Sequence, residues 1–249
     1  MSIYIKSEKE IKGIKIAGKI VATTFDFIQD YLKPEISLSE IENLCADYII
    51  KHDAKPAFKG YHGFPGAVCI SVNEEVVHGI PDGRRIKPCD IVKIDVGVHK
   101  NGFYADAAKS YTIGTVGSSI NRLLDVTEKS LYLGIDKARA GNHLGDISST
   151  IQNYVESNGF SVVRELSGHG VGIELHEEPM VPNFGAASKG IVLQRGMTLA
   201  IEPMVNMGTY EVLTQSNNWT VVTKDGLPSA HFEHTILITD SEPEILTKT

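Results

Sequence analysis

Residues Ile91–Asp106 read IVKIDVGVHKNGFYAD and carry two acids into an otherwise apolar stretch. Ile91, Val92, Ile94, Val96 and Val98 form a β-branched run, the composition of a buried strand. Asn101-Gly102 is a hairpin-turn signal, so a second strand is expected to follow it. Asp95 then falls in the middle of one strand and Asp106 on its neighbour. An ionised carboxylate among apolar side chains is costly unless a cation or dense hydrogen bonding offsets it. Two on adjacent strands also repel, and a bound cation accounts for both at once. The alternative is structural, with one aspartate capping a turn and the other salt-bridged.

Upstream, Ser7 to about Leu32 is predicted as an amphipathic helix, with Ile11, Ile14, Ala17, Val21, Phe25 and Ile28 at helical spacing. Ser7 with Glu10 makes a capping box, and Pro34 follows as a stop. Ser37 with Glu40 opens a second helix that ends before Pro56. The loop FKGYHGFPG leads to a strand around Val68–Val72, and Asn73–Pro81 brings His78 toward the acidic strands. Downstream, helices are predicted over Ser118–Ala138 and Leu144–Ser157. Strands are predicted over Ser161–Val163, Met197–Val205, Trp219–Thr223 and Phe232–Thr239.

The two halves of the chain resemble each other. An offset of about 107 residues lays His62 on His169 and Asp95 on Glu202, with IVKIDV over TLAIEP. Asp106 and Glu233 fall on matching second strands. The expectation is one domain over residues 1–249, a duplicated α+β unit with pseudo-twofold halves of about 1–115 and 116–249 and one site between them.

Composition limits the classes of function. Of 249 residues, 42% are apolar and 22% charged, as in ordinary soluble globular proteins. A formal charge of -7 argues against nucleic acid as the main partner. Cys45, Cys69 and Cys89 are widely spaced and odd in number, which suits a reducing compartment. The start MSIYIKSEKEIKG is too charged for a signal peptide, and no apolar run reaches membrane-spanning length. The expected location is the cytoplasm.

The second half holds SGHGVGIELHEEP over Ser167–Pro179. Its glycines run G-x-G-x-G rather than G-x-G-x-x-G, which rejects a dinucleotide loop. His176-Glu177-Glu178 begins like HExxH, but Met180 stands where the second histidine belongs. A lone histidine in a glycine-rich loop is more often a hydrogen-bonded turn residue. Here, however, His169 accompanies four strand-borne acids: Asp95, Asp106, Glu202 in LAIEPMV and Glu233 in HFEHTI. Oxygen-rich ligation with one imidazole suits a pair of divalent ions such as manganese, iron or cobalt. Two such ions can activate one water between them.

SGHGVGIELHEEP, IEPMV, EHTI and the spacing of Asp95 and Asp106 closely resemble the type I methionine aminopeptidases of bacterial size. The resemblance spans nearly the whole chain. It implies an α+β pita-bread (creatinase/aminopeptidase-like) fold around a central antiparallel sheet. It also implies two divalent ions (cobalt, manganese, iron or zinc) and removal of the initiator methionine from nascent proteins. By that resemblance Asp95 chelates one ion, His169 and Glu202 serve the other, and Asp106 and Glu233 bridge. Glu202 also shuttles the proton of the attacking water, His78 binds the peptide beyond the methionine, and His176 polarises the scissile carbonyl. Tyr61, Phe64, Cys69 and Trp219 match pocket positions, and His62 is expected nearby. Leu175 departs from the family, where phenylalanine is common before this histidine. A monovalent cation is expected near Asn73. His231 and His234 match no catalytic position and are read as packing or hydrogen-bonding residues. The partners implied are nascent N-termini and, transiently, the ribosome, for a monomer without sequence-specific nucleic-acid or membrane binding.

Other pita-bread enzymes fit less well. Aminopeptidase P and prolidase usually carry a large extra N-terminal domain, for which a helix starting at Ser7 leaves no room. Type II methionine aminopeptidases carry a helical insertion that the span from His169 to Glu202 is too short to hold. A binding module of another class, a homologue that has lost its metals, is expected to lack at least one of the five ligands, and all five are filled here.

Overall fold

Each of the first two helices begins at its capping box. A computed structural model describes residues 3–249; Met1 and Ser2, where the expected first half begins, lie outside the described residues. Helix α1 (Glu8–Ile28) starts at Ser7, whose Oγ accepts the Glu10 N–H while the Glu10 carboxylate accepts the Ser7 N–H. It tightens into a 3-10 turn at Gln29–Tyr31, so the α-helix stops short of Leu32. Helix α2 (Leu38–Lys51) repeats the device with Ser37 and Glu40. Helices α3 (Ser118–Lys137) and α4 (Leu144–Ser157) take the predicted positions in the second half.

The strands of the first half are β1 (Lys55–Pro56), β2 (Cys69–Val72), β3 (Glu75–Val77), β4 (Ile91–Lys100) and β5 (Phe103–Thr112). Those of the second are β6 (Ser161–Val162), β7 (Ser167–Gly170), β8 (Glu177–Pro182), β9 (Thr198–Ile201) and β10 (Met204–Asn206). They continue with β11 (Val212–Thr214), β12 (Val221–Thr223), β13 (Ser229–His231), β14 (His234–Leu237) and β15 (Glu244–Ile245). Strand β4 pairs with β1 and β2 along one edge and with β5 along the other, all antiparallel. The second large sheet runs β15-β14-β9-β7-β8, again antiparallel. Two three-stranded sheets, β13-β10-β6 and β11-β12-β3, complete the order.

Helices α1 and α2 cover the first sheet through one apolar core containing Ile14, Val21, Ile41, Ile94 and Val96. Helices α3 and α4 share a second core with the other large sheet, built on Leu123, Ile147, Leu199 and Ile236. Two helices and an antiparallel sheet thus recur in each half. The match of His62 to His169 does not hold: His62 lies on a 3-10 turn, whereas His169 lies on β7, the strand that pairs with β9. In the first half the strand beside β4 is β2, which begins beyond His62.

One predicted strand is broken in two and another starts late. The Met197–Val205 run divides at Glu202-Pro203 into β9 and β10, which belong to different sheets. Pro203 has no N–H to give a ladder, so the chain leaves one sheet there and joins another. The Phe232–Thr239 run starts instead as β14 at His234, and Glu233 lies between it and β13. Both glutamates therefore sit where the backbone switches sheets. His169, expected in a loop, is in a strand because Gly168 and Gly170 let β9 and β8 come closer than a Cβ would permit. Among the described residues no helix is long and apolar enough to cross a membrane.

Candidate metal centre and substrate cavity

Register decides how the first two acids meet. Asp106 pairs with Gly97, two residues from Asp95 on β4, so both aspartates project from one face of the hairpin. Strand β7 adds His169, and the two sheet switches add Glu202 and Glu233. One donor atom each from Asp106, His169 and Glu233 lie within 4.8 Å of one another. His169 Nε2 stands 3.5 Å from Asp106 Oδ2 and 3.6 Å from Glu202 Oε1. Its Nδ1 lies 2.9 Å from the Gly170 carbonyl and donates there, which leaves the Nε2 lone pair facing the acids.

These residues fit a divalent cation site. Burial, and then its neighbour Asp106, pushes Asp95 well above the usual carboxylate range. Glu202 and Glu233 are raised well above it by burial and by the other acids. Burial raises Asp106 to about 6 and lowers His169 to about 4, so the imidazole is neutral at pH 7. Asp95 Oδ1 is buried and accepts no hydrogen bond. Four mutually repelling carboxylates and a neutral imidazole form a donor set that a hard or borderline divalent cation relieves. Thr235 braces the set, its Oγ1 accepting the Asp106 N–H at 3.1 Å and lying 2.7 Å from the Asp106 carbonyl oxygen. Asn183 Nδ2 donates to the Glu202 carbonyl at 2.9 Å.

A cavity of about 310 Å³ opens over the acids, at the small end of the range for ligand pockets. Tyr61, His62, Phe64, Cys69, His78 and Trp219 all line it, as do all five candidate ligands. Phe64 meets Trp219 edge to face, with ring centroids 5.1 Å apart. Leu175 is the exception among the expected pocket residues: it does not face the cavity but packs behind it against Phe58, Phe64 and Cys69. His176 stands at the mouth, its ring centroid 4.1 Å from that of His169 and its Nδ1 2.8 Å from Tyr61 Oη. A second hollow of about 630 Å³ continues outward from His169 and His176 past Glu174, Glu177 and Met180.

Two residues of the site escaped the sequence. Phe58 lines the cavity, and its ring fits only because Gly97 on β4 has no side chain. His231, expected only to pack or hydrogen-bond, has a buried Nε2 without a hydrogen-bond partner that points at Glu202 Oε2 from 3.6 Å. Its position two residues before Glu233 was the available signal. His234 turns away, with Nδ1 2.9 Å from Thr247 Oγ1. The Asn73 carbonyl, near which a monovalent cation was expected, accepts a hydrogen bond from Lys93 Nζ at 2.7 Å.

Known proteins share these features. The model of metallopeptidase family M24 matches residues 12–240. The chain is 49% identical to the methionine aminopeptidase of Clostridium perfringens over 245 residues, 98% of either chain. It is 49% identical to methionine aminopeptidase 1 of Bacillus subtilis over 246 residues, 99% of each. The crystal structure of the methionine aminopeptidase from Thermotoga maritima superposes with a TM-score of 0.98 at 47% identity, covering 100% of both chains. The two helix-covered antiparallel sheets form the pita-bread fold, and membership of this family brings dependence on a divalent metal. Its match over nearly the whole length, with the five donors converging under an apolar cavity, means that the chain belongs to metallopeptidase family M24, among the methionine aminopeptidases.

Proposed function

We propose that this protein is a methionyl aminopeptidase that removes the initiator methionine from nascent chains whose second residue is small. The observation that carries the reading is the placement of five metal-type donors under a cavity walled by Phe58, Phe64, Cys69 and Trp219. A thioether side chain is matched by such a polarisable apolar wall. The hollow beyond His176 gives the rest of the polypeptide a way out.

In this reading Asp95 would hold one ion, His169 and Glu202 would hold a second, and Asp106 and Glu233 would serve both. Cobalt, manganese, iron or zinc all suit the donors, and when bound they would supply a water of lowered pKa and a Lewis acid for the scissile carbonyl. Glu202 accepts the proton of the attacking water at a carboxylate oxygen and passes it to the departing amine. His231 Nε2, aimed at Glu202 Oε2, is placed to orient that carboxylate. Tyr61 O–H donates to His176 Nδ1, so the neutral ring carries its proton on Nε2 and can donate it to the scissile carbonyl. His78, which lines the same cavity, binds the peptide following the methionine. A bulky second side chain would crowd His78 and His176.

Nascent substrates place the work in the cytoplasm, with transient ribosome contact and a monomeric enzyme. The net charge of -7 favours no sequence-specific nucleic-acid binding. Hydrolysis of Met-Ala-Ser, Leu-Ala-Ser, Pro-Ala-Ser and Met-Leu-Ser by chelated enzyme resupplied with cobalt or manganese tests the reading. Metal-dependent cleavage of Met-Ala-Ser alone is expected. Cleavage of the leucine or proline peptide in its place would assign a different aminopeptidase specificity.

A further inference from the structure

Lys93 is 2% exposed and stands on β4 two residues before Asp95, on the same face of the strand. Its Nζ reaches the main-chain carbonyls of Asn73 at 2.7 Å and Ser229 at 3.0 Å. Both acceptors are carbonyls rather than carboxylates. A buried ammonium is costly, and an apolar side chain fills the same space more cheaply, so the charge requires a reason. Each acceptor leads to one. Asn73 turns the chain between β2 and β3 with φ 53°, and its N–H and Oδ1 are both tied to Ile91. Ser229 opens β13 four residues before Glu233, and its hydroxyl contacts the Val205 carbonyl on β10, just after Glu202. The Ser229 N–H also donates to the Asn73 carbonyl at 3.1 Å. Nζ thus gathers oxygen dipoles where the strand of Asp95 meets the segments of Glu202 and Glu233. Burial opposes the charged form, while the carboxylates of Glu75, Glu74 and Asp90 favour it.

We propose that Lys93 Nζ acts as a tethered monovalent cation. It takes the carbonyl of Asn73, near which a free monovalent cation is expected, and it holds the two halves of the metal site in register without a dissolved ion. Lys93 is a positioning residue: it touches neither substrate nor the donor atoms. The claim concerns assembly of the site and stands whichever peptide the enzyme cleaves.

The test compares thermal melting of the chelated protein in sodium, potassium and N-methylglucammonium chloride at equal ionic strength and pH 6, where Lys93 is charged. The wild type is expected to melt within about 1 °C in all three salts. Lys93→Ala leaves the two carbonyls without their ammonium partner and should melt about 5–10 °C lower in N-methylglucammonium, regaining at least half of the loss in sodium or potassium with saturation. Manganese affinity, measured by titration calorimetry, should follow the same salts, falling about tenfold in N-methylglucammonium and recovering with the small cations. Stabilisation of the wild type by sodium or potassium would overturn the proposal, as would an equal deficit of Lys93→Ala in every salt. If Lys93→Ala fails to fold, Lys93→Ser is refolded from denaturant in each salt. Recovery only with the small cations supports the tether, and equal recovery or none in all three overturns it.

Discussion

Tyr61 and His176 meet through a single hydrogen bond, and the role proposed for His176 needs the phenol as its donor. Burial raises the Tyr61 phenol, which therefore keeps its proton, and the surrounding protein followed by His169 lowers His176, which stays neutral. In the proposed mechanism the phenol donates across 2.8 Å, which puts the imidazole proton on His176 Nε2. Tyr61→Phe should lower kcat about tenfold and leave KM within about threefold, because the ring would lose its fixed tautomer rather than its place. Steady-state kinetics on Met-Ala-Ser decides this, and a change confined to KM would reduce Tyr61 to a pocket wall. Asp106 gives a stronger case, since it shares the site with His169 and Glu233. Asp106→Asn should cut turnover more than about 10³-fold and abolish metal loading while the fold persists, since an amide is neutral and nearly isosteric. Full metal content by emission spectrometry, with activity retained, would sink the bridging role. The five candidate donors stand out in the sequence because each lies in or beside a short apolar or glycine-rich run where an acid or imidazole is unusual. Phe58 was not, since nothing local marks an aromatic residue whose space depends on Gly97 across the sheet.

Elements were legible where their signals are local. The two Ser-Glu capping boxes fixed the starts of α1 and α2, and Asn101-Gly102 fixed the β4–β5 hairpin. The sheet switches were not legible: the apolar run Met197–Val205 carries the same composition on both sides of its break, and nothing in Phe232–Thr239 marks that pairing begins only at His234. What divides them is pairing with distant strands: β9 with β14 and β7, but β10 with β13 and β6. The β7 segment reads as a loop in sequence because glycine disfavours strands on average, whereas here the glycines admit close neighbours. A Cβ on Gly170 would collide with the Glu178 carbonyl on β8. Gly170→Ala should therefore destabilise by about 1–3 kcal/mol, the usual cost of overpacking, and lower metal affinity by moving His169. Urea unfolding with an unchanged slope and a lower midpoint would establish the first effect, and an unshifted midpoint would show that β8 yields freely.

At the scale of the molecule, the halves meet along β5, β13 and β14. Glu233 N–H donates to the Ala108 carbonyl at 2.9 Å, and Ser110 Oγ donates to the His231 carbonyl at 2.7 Å. The duplication was legible in element order, yet the metal site is not symmetric: His169 has no histidine partner in the first half, where Cys69 sits beside Asp95. Concentrating four acids on this seam has a pH signature. In chelated protein, folded Asp106 titrates at about 6 and Asp95, Glu202 and Glu233 well above the carboxylate range, all raised by burial first. Above about pH 4 the native state then binds more protons than the unfolded chain, so these groups lose stability as pH rises, through and beyond pH 6. The buried histidines act oppositely: His169 and His234 at about 4 and His231 at about 3 gain stability as pH rises to about 6.5 and add nothing further. Lys93, lowered by burial to about 7, gains above that value. The histidine and lysine contributions are common to metal-free and metal-loaded protein, so the difference between the two isolates the acids. Manganese favours the ionised carboxylates, and the melting-temperature gap between loaded and chelated protein should widen steadily from pH 5.5 to 8. Calorimetry at pH 7 in buffers of different ionisation enthalpy should show at least about one proton released per protein on manganese binding. A constant gap with no proton release would mean that the acids are already ionised and balanced without the metal.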